Sequence, residues 1–155
     1  MTLETLFTPE TVAVIGASGS PGKVGHAVLS NLLQGGFKGT IVPVNPKAEE
    51  ILGIRSYRGL EFYDGTVDLS VICVPAKAVK GAVISSLNAE AKSVVVITAG
   101  FKEVDEEGAR LEKEIAALCK EKGARLMGPN CLGVINTEYG MNASFATNMP
   151  GKGSA

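Results

Sequence analysis

Short apolar runs alternate with segments of helical periodicity along this chain. The apolar runs predict five β-strands, at residues 12–15, 40–44, 68–74, 93–98 and 125–127. The segments between them predict helices at residues 22–34, 76–88 and 105–122. Strands that are apolar on both faces and separated by helices are typical of a parallel sheet with both faces covered. The pattern therefore predicts an α/β fold, with a Rossmann-like, doubly wound, mostly parallel sheet and helices on both faces.

Two segments fit this alternation less closely. Residues 47–65 are irregular, with at most a short helical turn and a short strand, and residues 134–136 predict one further short strand. Cys73, inside an apolar run, is predicted to be a core residue. The predicted buried face of the first helix is formed by Val24, Val28, Leu32 and Leu33.

A glycine stands at every third position of residues 16–25, directly after the first predicted strand. Glycines allow a tight turn and a close approach of the backbone to a ligand. The free N–H groups at the start of the next helix then point at an anion, and Ser18 and Ser20 add hydroxyl donors. We therefore expect a phosphate-binding turn; the alternative is a tight turn that only packs helix against strand.

The nucleotide is less well defined by this turn. Ser18 stands where the dinucleotide pattern Gly-x-Gly-x-x-Gly has its second glycine. Lys47 follows the second strand, where NAD-binding domains carry an acidic residue. A lysine there favours a phosphorylated ribose, as in NADP or coenzyme A (CoA), and a solvated loop lysine is an equal alternative.

Three further strand ends combine small or rigid residues with a polar group, at residues 74–76, 97–101 and 128–133. Thr98 offers a hydroxyl, and Asn130 offers both a donor and an acceptor. Ligands of open α/β sheets bind outside the carboxyl ends of the strands. We therefore expect these three ends to belong to one site.

Composition and charge exclude several classes of protein. The 155 residues, 45% hydrophobic and 20% charged, are enough for one domain with a core. A formal net charge of -1 provides no field for nucleic acid or an anionic membrane. The first nine residues do not resemble a signal peptide, and no stretch is long and apolar enough to span a bilayer. A cytoplasmic protein with reduced cysteines is therefore expected.

No catalytic or metal site is evident in the sequence. Cys131 is a candidate nucleophile, but the only histidine, His26, lies in the first helix, and a role in lining the site is favoured. No cluster of His, Cys or Asp has the spacing of metal ligands.

Five motifs taken together resemble a known family. In order they are Gly16-Ala17-Ser18-Gly19-Ser20-Pro21-Gly22, Val44-Asn45-Pro46-Lys47, Val74-Pro75-Ala76, Ile97-Thr98-Ala99-Gly100-Phe101 and Gly128-Pro129-Asn130-Cys131-Leu132-Gly133. This series resembles the N-terminal CoA-binding domain of ADP-forming acetyl-CoA (acyl-CoA) synthetases, in the succinyl-CoA synthetase superfamily. The resemblance extends from about residue 7 to residue 145.

The resemblance implies that CoA lies across the carboxyl ends of the strands. It implies a basic contact from Lys47, and places Asn130 and Cys131 near the pantetheine arm. No residue is assigned a catalytic or metal-binding role. Residues 16–22 are called the glycine turn. With this turn included, the candidate CoA-binding residues are Gly16, Ser18, Gly19, Ser20, Pro21, Gly22, Lys47, Val74, Pro75, Ile97, Thr98, Ala99, Asn130 and Cys131.

The resemblance also implies a parent enzyme that converts an acid, ATP and CoA to acyl-CoA, ADP and phosphate, through an acyl phosphate and a phosphohistidine. The phosphohistidine and ATP-grasp domains of that family do not fit in 155 residues. They are the expected partners, in the same chain or as a second subunit, and this chain is expected to bind CoA without catalysing. Ala99 replaces the glutamate of the succinate branch, which favours the acetyl or general acyl branch.

We expect residues 1–146 to form the CoA-binding domain and residues 147–155 to begin a linker. Three alternatives stay open. They are a stand-alone CoA-binding regulatory module, an NADP-binding oxidoreductase domain, and the same domain fused to a protein acetyltransferase. The loop at the end of the chain argues against the first alternative, and Ser18 argues against the second.

Overall fold

A five-stranded parallel sheet forms the centre of the fold, in a computed structural model that describes residues 3–153. The helices are α1 (Glu4–Phe7), α2 (Val24–Gln34), α3 (Ala76–Asn88) and α4 (Glu106–Glu121). The strands are β1 (Thr11–Ile15), β2 (Thr40–Val44), β3 (Glu50–Ile51), β4 (Ile54–Arg55), β5 (Leu69–Ile72), β6 (Ser93–Val96), β7 (Arg125–Met127), β8 (Gly133–Asn136) and β9 (Met141–Ser144). Residues 1, 2, 154 and 155 lie outside the described range, and with them the end of the predicted linker.

The sheet has the strand order β2-β1-β5-β6-β7, and its neighbouring strands are parallel. Helices α3 and α4 cover one face, over a core that includes Val83 and Ile115. Helices α1 and α2 and the hairpin β8–β9 cover the other face, over a core that includes Leu29 and Met141. The predicted doubly wound α/β fold is confirmed. The chain runs outward from β1 to β2 and returns to β5, so the carboxyl ends of β1 and β5 form the switch point, where such folds bind ligands.

The structure corrects predictions about α2 and β5. Gly22 has a φ of 88°, outside the helical region, and the helix begins at Val24 rather than at residue 22. Val24 and Leu33, which were expected to be buried, are 38% and 39% exposed, and Leu29 is buried instead. Strand β5 ends one residue before Cys73, which is therefore half-buried at the edge of the sheet rather than a residue of the core.

The irregular segment 47–65 contains the β3–β4 hairpin and a 3₁₀ turn at Leu60–Phe62. A parallel bridge joins Val44 to Tyr57, so the chain after the hairpin briefly runs beside β2. The strand predicted at residues 134–136 is present and pairs with β9 in an antiparallel hairpin. Sequence analysis missed β9 and α1. Within residues 3–153, no helix has the length and apolar character needed to cross a membrane.

Candidate functional site

A cavity of about 840 Å³ opens at the switch point of the sheet. This volume falls within the range of sites for small molecules and cofactors, roughly 300–1,000 Å³. Most of the wall comes from the turn between β1 and α2 and from the residues that follow β5, β6 and β7. The lining residues are Gly16, Ala17, Ser18, Gly22, Lys23, Val24, Gly25, Asn45, Cys73, Val74, Pro75, Ile97, Thr98, Ala99, Asn130, Cys131, Leu132 and Phe145.

The turn between β1 and α2 lies close to its neighbours. The N–H groups of Gly16 and Ala17 donate hydrogen bonds to the Val44 carbonyl, over 3.0 and 3.2 Å. Gly16 has a φ of 90°, and a Cβ at this position would lie 3.0 Å from the carbonyl carbon of Cys73. Gly25, in the first turn of α2, approaches the backbone of Gly16 so closely that a Cβ has no room. The glycines therefore bring the start of the helix against the end of the strand, as a phosphate-binding turn requires.

Side chains hold the same turn in shape. Asn45 Nδ2 donates a hydrogen bond of 2.8 Å to the Ala17 carbonyl. His26 Nδ1 lies 3.1 Å from the Ser18 carbonyl oxygen, and the Ser20 N–H donates to Ser18 Oγ over 3.0 Å. The role of His26 in this structure is thus a contact with the turn, and within residues 3–153 it has no hydrogen bond to a cysteine.

The ends of β5, β6 and β7 are joined by hydrogen bonds into one wall. Thr98 Oγ1 donates to the Val74 carbonyl over 2.6 Å, and the Asn130 N–H donates to the Thr98 carbonyl over 3.0 Å. Cys131 Sγ lies 3.4 Å from the Val96 carbonyl oxygen. Asn130 has a φ of 56°, in the left-handed region that asparagine adopts more readily than most residues. The three strand ends expected to form one site therefore do lie together.

Comparison with known proteins places this arrangement in a family. The family described as a CoA binding domain matches residues 10–137. This chain belongs to the CoA-binding domain family. The domain is 48% identical over 151 residues to ADP-forming acetate–CoA ligase I of Archaeoglobus fulgidus. It is 44% identical over 147 residues to the alpha subunit of ADP-forming acetate–CoA ligase II of Pyrococcus furiosus.

A solved structure shares the fold of this CoA-binding domain. It is the dinucleotide-forming acetyl-coenzyme A synthetase 1 of Ca. Korarchaeum cryptofilum in complex with phosphate and ADP, with a TM-score of 0.89 and 41% identity. The match covers 93% of this chain and 31% of that protein. The matches to the two ligases cover 97% and 94% of this chain, but 22% and 32% of the relatives. The chain therefore spans less than a third of the relatives' lengths.

Most of the predicted CoA-binding residues line this one cavity. The ten that do are Gly16, Ser18, Gly22, Val74, Pro75, Ile97, Thr98, Ala99, Asn130 and Cys131. The other four, Gly19, Ser20, Pro21 and Lys47, are exposed and are not lining residues of the cavity. The part that each residue plays in binding CoA stays a prediction.

Sequence analysis missed three features of the wall. Lys23 is the charged side chain among the described lining residues, and its signal was its place between Gly22 and the start of α2. Asn45 reaches the turn from the end of β2, and its signal was the Asn-Pro pair that ends the strand. Phe145 follows β9, and its N–H donates to the Leu132 carbonyl over 3.3 Å. Since β9 was not predicted, no local pattern placed Phe145 at the cavity.

Two thiols of the CoA-binding domain line the cavity in their protonated form. Burial and, secondarily, the neighbouring Cys131 raise the pKa of the Cys73 thiol to about 12. Burial also raises the pKa of Cys131. The thiolate is the nucleophilic form of cysteine, so this environment favours a lining role over a nucleophilic one for Cys131. Within residues 3–153, no group of three His, Cys, Asp or Glu side chains is placed to hold a metal ion.

Proposed function

We propose that this chain binds CoA in the cavity at the switch point, as the CoA-binding part of an ADP-forming acid–CoA ligase. One observation carries the proposal: a single cavity joins the glycine turn and Lys23 to the ends of β5, β6 and β7. Membership of the CoA-binding domain family favours CoA over NADP as the ligand. The two ADP-forming acetate–CoA ligases support the class of reaction.

The glycine turn is the place for the diphosphate of CoA. Lys23 immediately precedes α2 and lines the cavity together with Val24 and Gly25 of the first helical turn. The first N–H groups of a helix have no partner inside the helix and attract anions. A lysine ammonium adds charge-assisted hydrogen bonds to phosphate oxygens. We therefore assign the diphosphate to this end of the cavity.

The wall formed by the ends of β5, β6 and β7 suits the pantetheine arm, which alternates amide groups with short apolar links. Val74, Ile97 and Leu132 supply apolar surface there. Thr98 and Asn130 carry the polar side chains. The hydrogen bonds from the Asn130 N–H to the Thr98 carbonyl and from the Thr98 hydroxyl to the Val74 carbonyl keep the strand ends in place. An arm of mixed polarity is matched by a wall of mixed polarity, in which each polar group fixes orientation.

The chain itself is proposed to bind CoA without catalysing. The thiols that line the cavity are protonated, and His26 contacts the turn. The chemistry would then reside in a phosphohistidine domain and an ATP-grasp domain, in the same chain or in a second subunit. The alpha-subunit relative from P. furiosus supports a divided arrangement in some members. Residues 1–146 are the proposed domain, and residues 147–155 begin the proposed linker.

Titration calorimetry tests the proposal directly. The purified chain is titrated with CoA, dephospho-CoA, NADP and NAD under one set of buffer conditions. The proposal predicts saturable binding of CoA and no saturable binding of NAD or NADP. Tighter binding of NADP than of CoA would make the domain an oxidoreductase module, and absence of CoA binding would refute the function proposed for this chain.

A further inference from the structure

A second cavity, of about 350 Å³, adjoins the first, and Gly16 and Val74 line both. Pro46, shortly after β2, and Ala78, in α3, also line the second cavity. The two cavities therefore meet at the glycine turn, where the Val74 side chain lies beside Gly16. A nucleotide whose diphosphate lies at the glycine turn therefore has the second cavity beside it.

An isolated β-bridge at the edge of the sheet places Arg58 beside this second cavity. The Tyr57 N–H donates to the Pro43 carbonyl, and the Asn45 N–H donates to the Tyr57 carbonyl, both over 2.9 Å. These bonds form the parallel bridge between Tyr57 and Val44. Arg58 is thus one residue past a strand-like position, at the same carboxyl edge as the ends of β1 and β2.

The charges around the second cavity are few. Among its described lining residues, Arg58 is the cation and Glu61 is the acid. Arg58 is exposed, and within residues 3–153 it has no salt bridge to Glu61 or to another acid. Lys47 is a lining residue of neither cavity. The Arg58 guanidinium is therefore available to an anionic group that enters the second cavity.

We propose that Arg58 binds the 3′-phosphate of CoA and is the residue that distinguishes CoA from dephospho-CoA. This inference rests on the proposed function. A guanidinium presents two parallel N–H donors to phosphate oxygens, a match that a lysine ammonium lacks. The Glu61 carboxylate opposes the same phosphate by like-charge repulsion. Arg58 therefore has the role that sequence analysis gave to Lys47.

The test compares CoA with dephospho-CoA in calorimetric titrations of the 155-residue chain and its single variants. Arg58→Gln is expected to weaken CoA binding about tenfold, the equivalent of one charge-assisted contact. Dephospho-CoA binding should change by less than about twofold in the same variant, because the lost contact is to the phosphate that this ligand lacks. Glu61→Gln is expected to tighten CoA binding selectively, because a repulsive charge is removed.

Arg55→Gln is the matched control. It makes the same change of charge three residues earlier, where the guanidinium lies 5.0 Å from the centre of the Tyr57 ring, and Arg55 does not line either cavity. The ratio of CoA affinity to dephospho-CoA affinity should stay at the wild-type value. Lys47→Gln is expected to leave this ratio unchanged as well.

Two results would overturn the inference. One is an unchanged ratio of CoA affinity to dephospho-CoA affinity in Arg58→Gln, whether neither ligand or both ligands equally lose affinity. The other is loss of discrimination in Lys47→Gln alone. Binding of CoA by the unmodified chain decides the proposed function separately. If the unmodified chain binds CoA but the Arg58 variant keeps the ratio, the inference fails and the proposed function stands. If the unmodified chain does not bind CoA, both fail.

Discussion

Asn45 ties the carboxyl end of β2 to the glycine turn, because its Nδ2 donates a hydrogen bond of 2.8 Å to the Ala17 carbonyl. Its Oδ1 accepts a hydrogen bond of 2.8 Å from the Lys47 N–H. One amide side chain therefore holds both the turn proposed for the diphosphate and the loop that leaves β2. The shape of the cavity depends on this side chain as well as on the glycines.

Replacement of Asn45 by alanine should loosen the turn. The variant leaves the Ala17 carbonyl and the Lys47 N–H without this partner, and the free energy of unfolding should fall by about 1–2 kcal/mol. CoA affinity should fall as well, because the turn must then be ordered on binding. Urea unfolding and calorimetric titration measure the two effects. Asn88→Ala, at the exposed end of α3, is the control, and equal behaviour of the two variants would contradict the role of Asn45.

Alanine substitutions at two glycines with similar φ values distinguish backbone strain from a steric clash of the added Cβ. Gly16 and Gly22 have φ values of 90° and 88°, so alanine is strained at both positions, by about 1–2 kcal/mol. A Cβ on Gly16 would also lie 3.0 Å from backbone atoms of Cys73 and Val74, whereas a Cβ on Gly22 meets nothing within 4 Å. Gly16→Ala should therefore lower the free energy of unfolding more than Gly22→Ala does. Chemical denaturation of both variants measures the difference, and equal losses would show that the contact with Cys73 and Val74 relaxes freely.

Lys23→Gln should weaken CoA and dephospho-CoA alike. The two ligands share the diphosphate that Lys23 is proposed to contact, and loss of a charge-assisted contact costs about tenfold in affinity. Calorimetric titration with both ligands gives the comparison. Lys38→Gln makes the same charge change at an exposed residue just before β2, far from the carboxyl edge of the sheet, and should leave both affinities unchanged. A loss confined to CoA would instead assign Lys23 to the 3′-phosphate.

Stability at alkaline pH should depend on Cys73. Burial raises the pKa of this thiol from 9.0 to about 12, so the folded state keeps a proton that the unfolded state releases. The stability associated with Cys73 is present below pH 9 and is lost as the pH rises from 9 toward 12. The slope of this contribution is at most about 1.4 kcal/mol per pH unit. Urea unfolding of the wild type and Cys73→Ala at several pH values isolates it, and parallel curves would contradict the raised pKa.

The strands of the sheet and helix α3 could be predicted because local signals and tertiary structure agree there. Helix α3 has the predicted bounds, Ala76–Asn88, since Pro75 ends the preceding extended segment and an amphipathic pattern follows. The buried apolar runs of β1, β5 and β6 likewise predicted a covered parallel sheet. The residues that follow these strands indicated the edge of the sheet at which a ligand site was expected.

Strand β9 could not be predicted, because its sequence is partly polar although its residues are buried. Asn142 and Ser144 satisfy each other through a hydrogen bond of 2.6 Å from Ser144 Oγ to Asn142 Oδ1. Asn31 Nδ2, in α2, donates to the Ser144 carbonyl over 2.8 Å. Asn31 and Ser144 are 113 residues apart in sequence, so no local pattern indicates this contact. Because β9 was not predicted, the part of the cavity wall that Phe145 forms was not predicted either.

Arg58 escaped prediction for a related reason. Its position depends on the isolated bridge between Val44 and Tyr57. A bridge of one residue pair requires no alternation of apolar and polar residues, so the segment 47–65 carries no strand pattern that would indicate it. Lys47, by contrast, follows a strand with a clear apolar pattern, and this position made it the predicted basic contact. Position in sequence after a strand therefore located the edge of the sheet where the cavity opens, but not all the cations that lie along it.

The most direct test of the central claim is a nitrogen-15 NMR titration of the chain with CoA. If CoA binds at the switch point, amide signals of residues 16–25, 97–99 and 130–132 should shift or broaden, and those of α4 should stay in place. The amide signals of Gly16 and Gly25 report on the glycine turn. Shifts confined to α4 and β7, or no shifts at a saturating concentration of CoA, would contradict the claim.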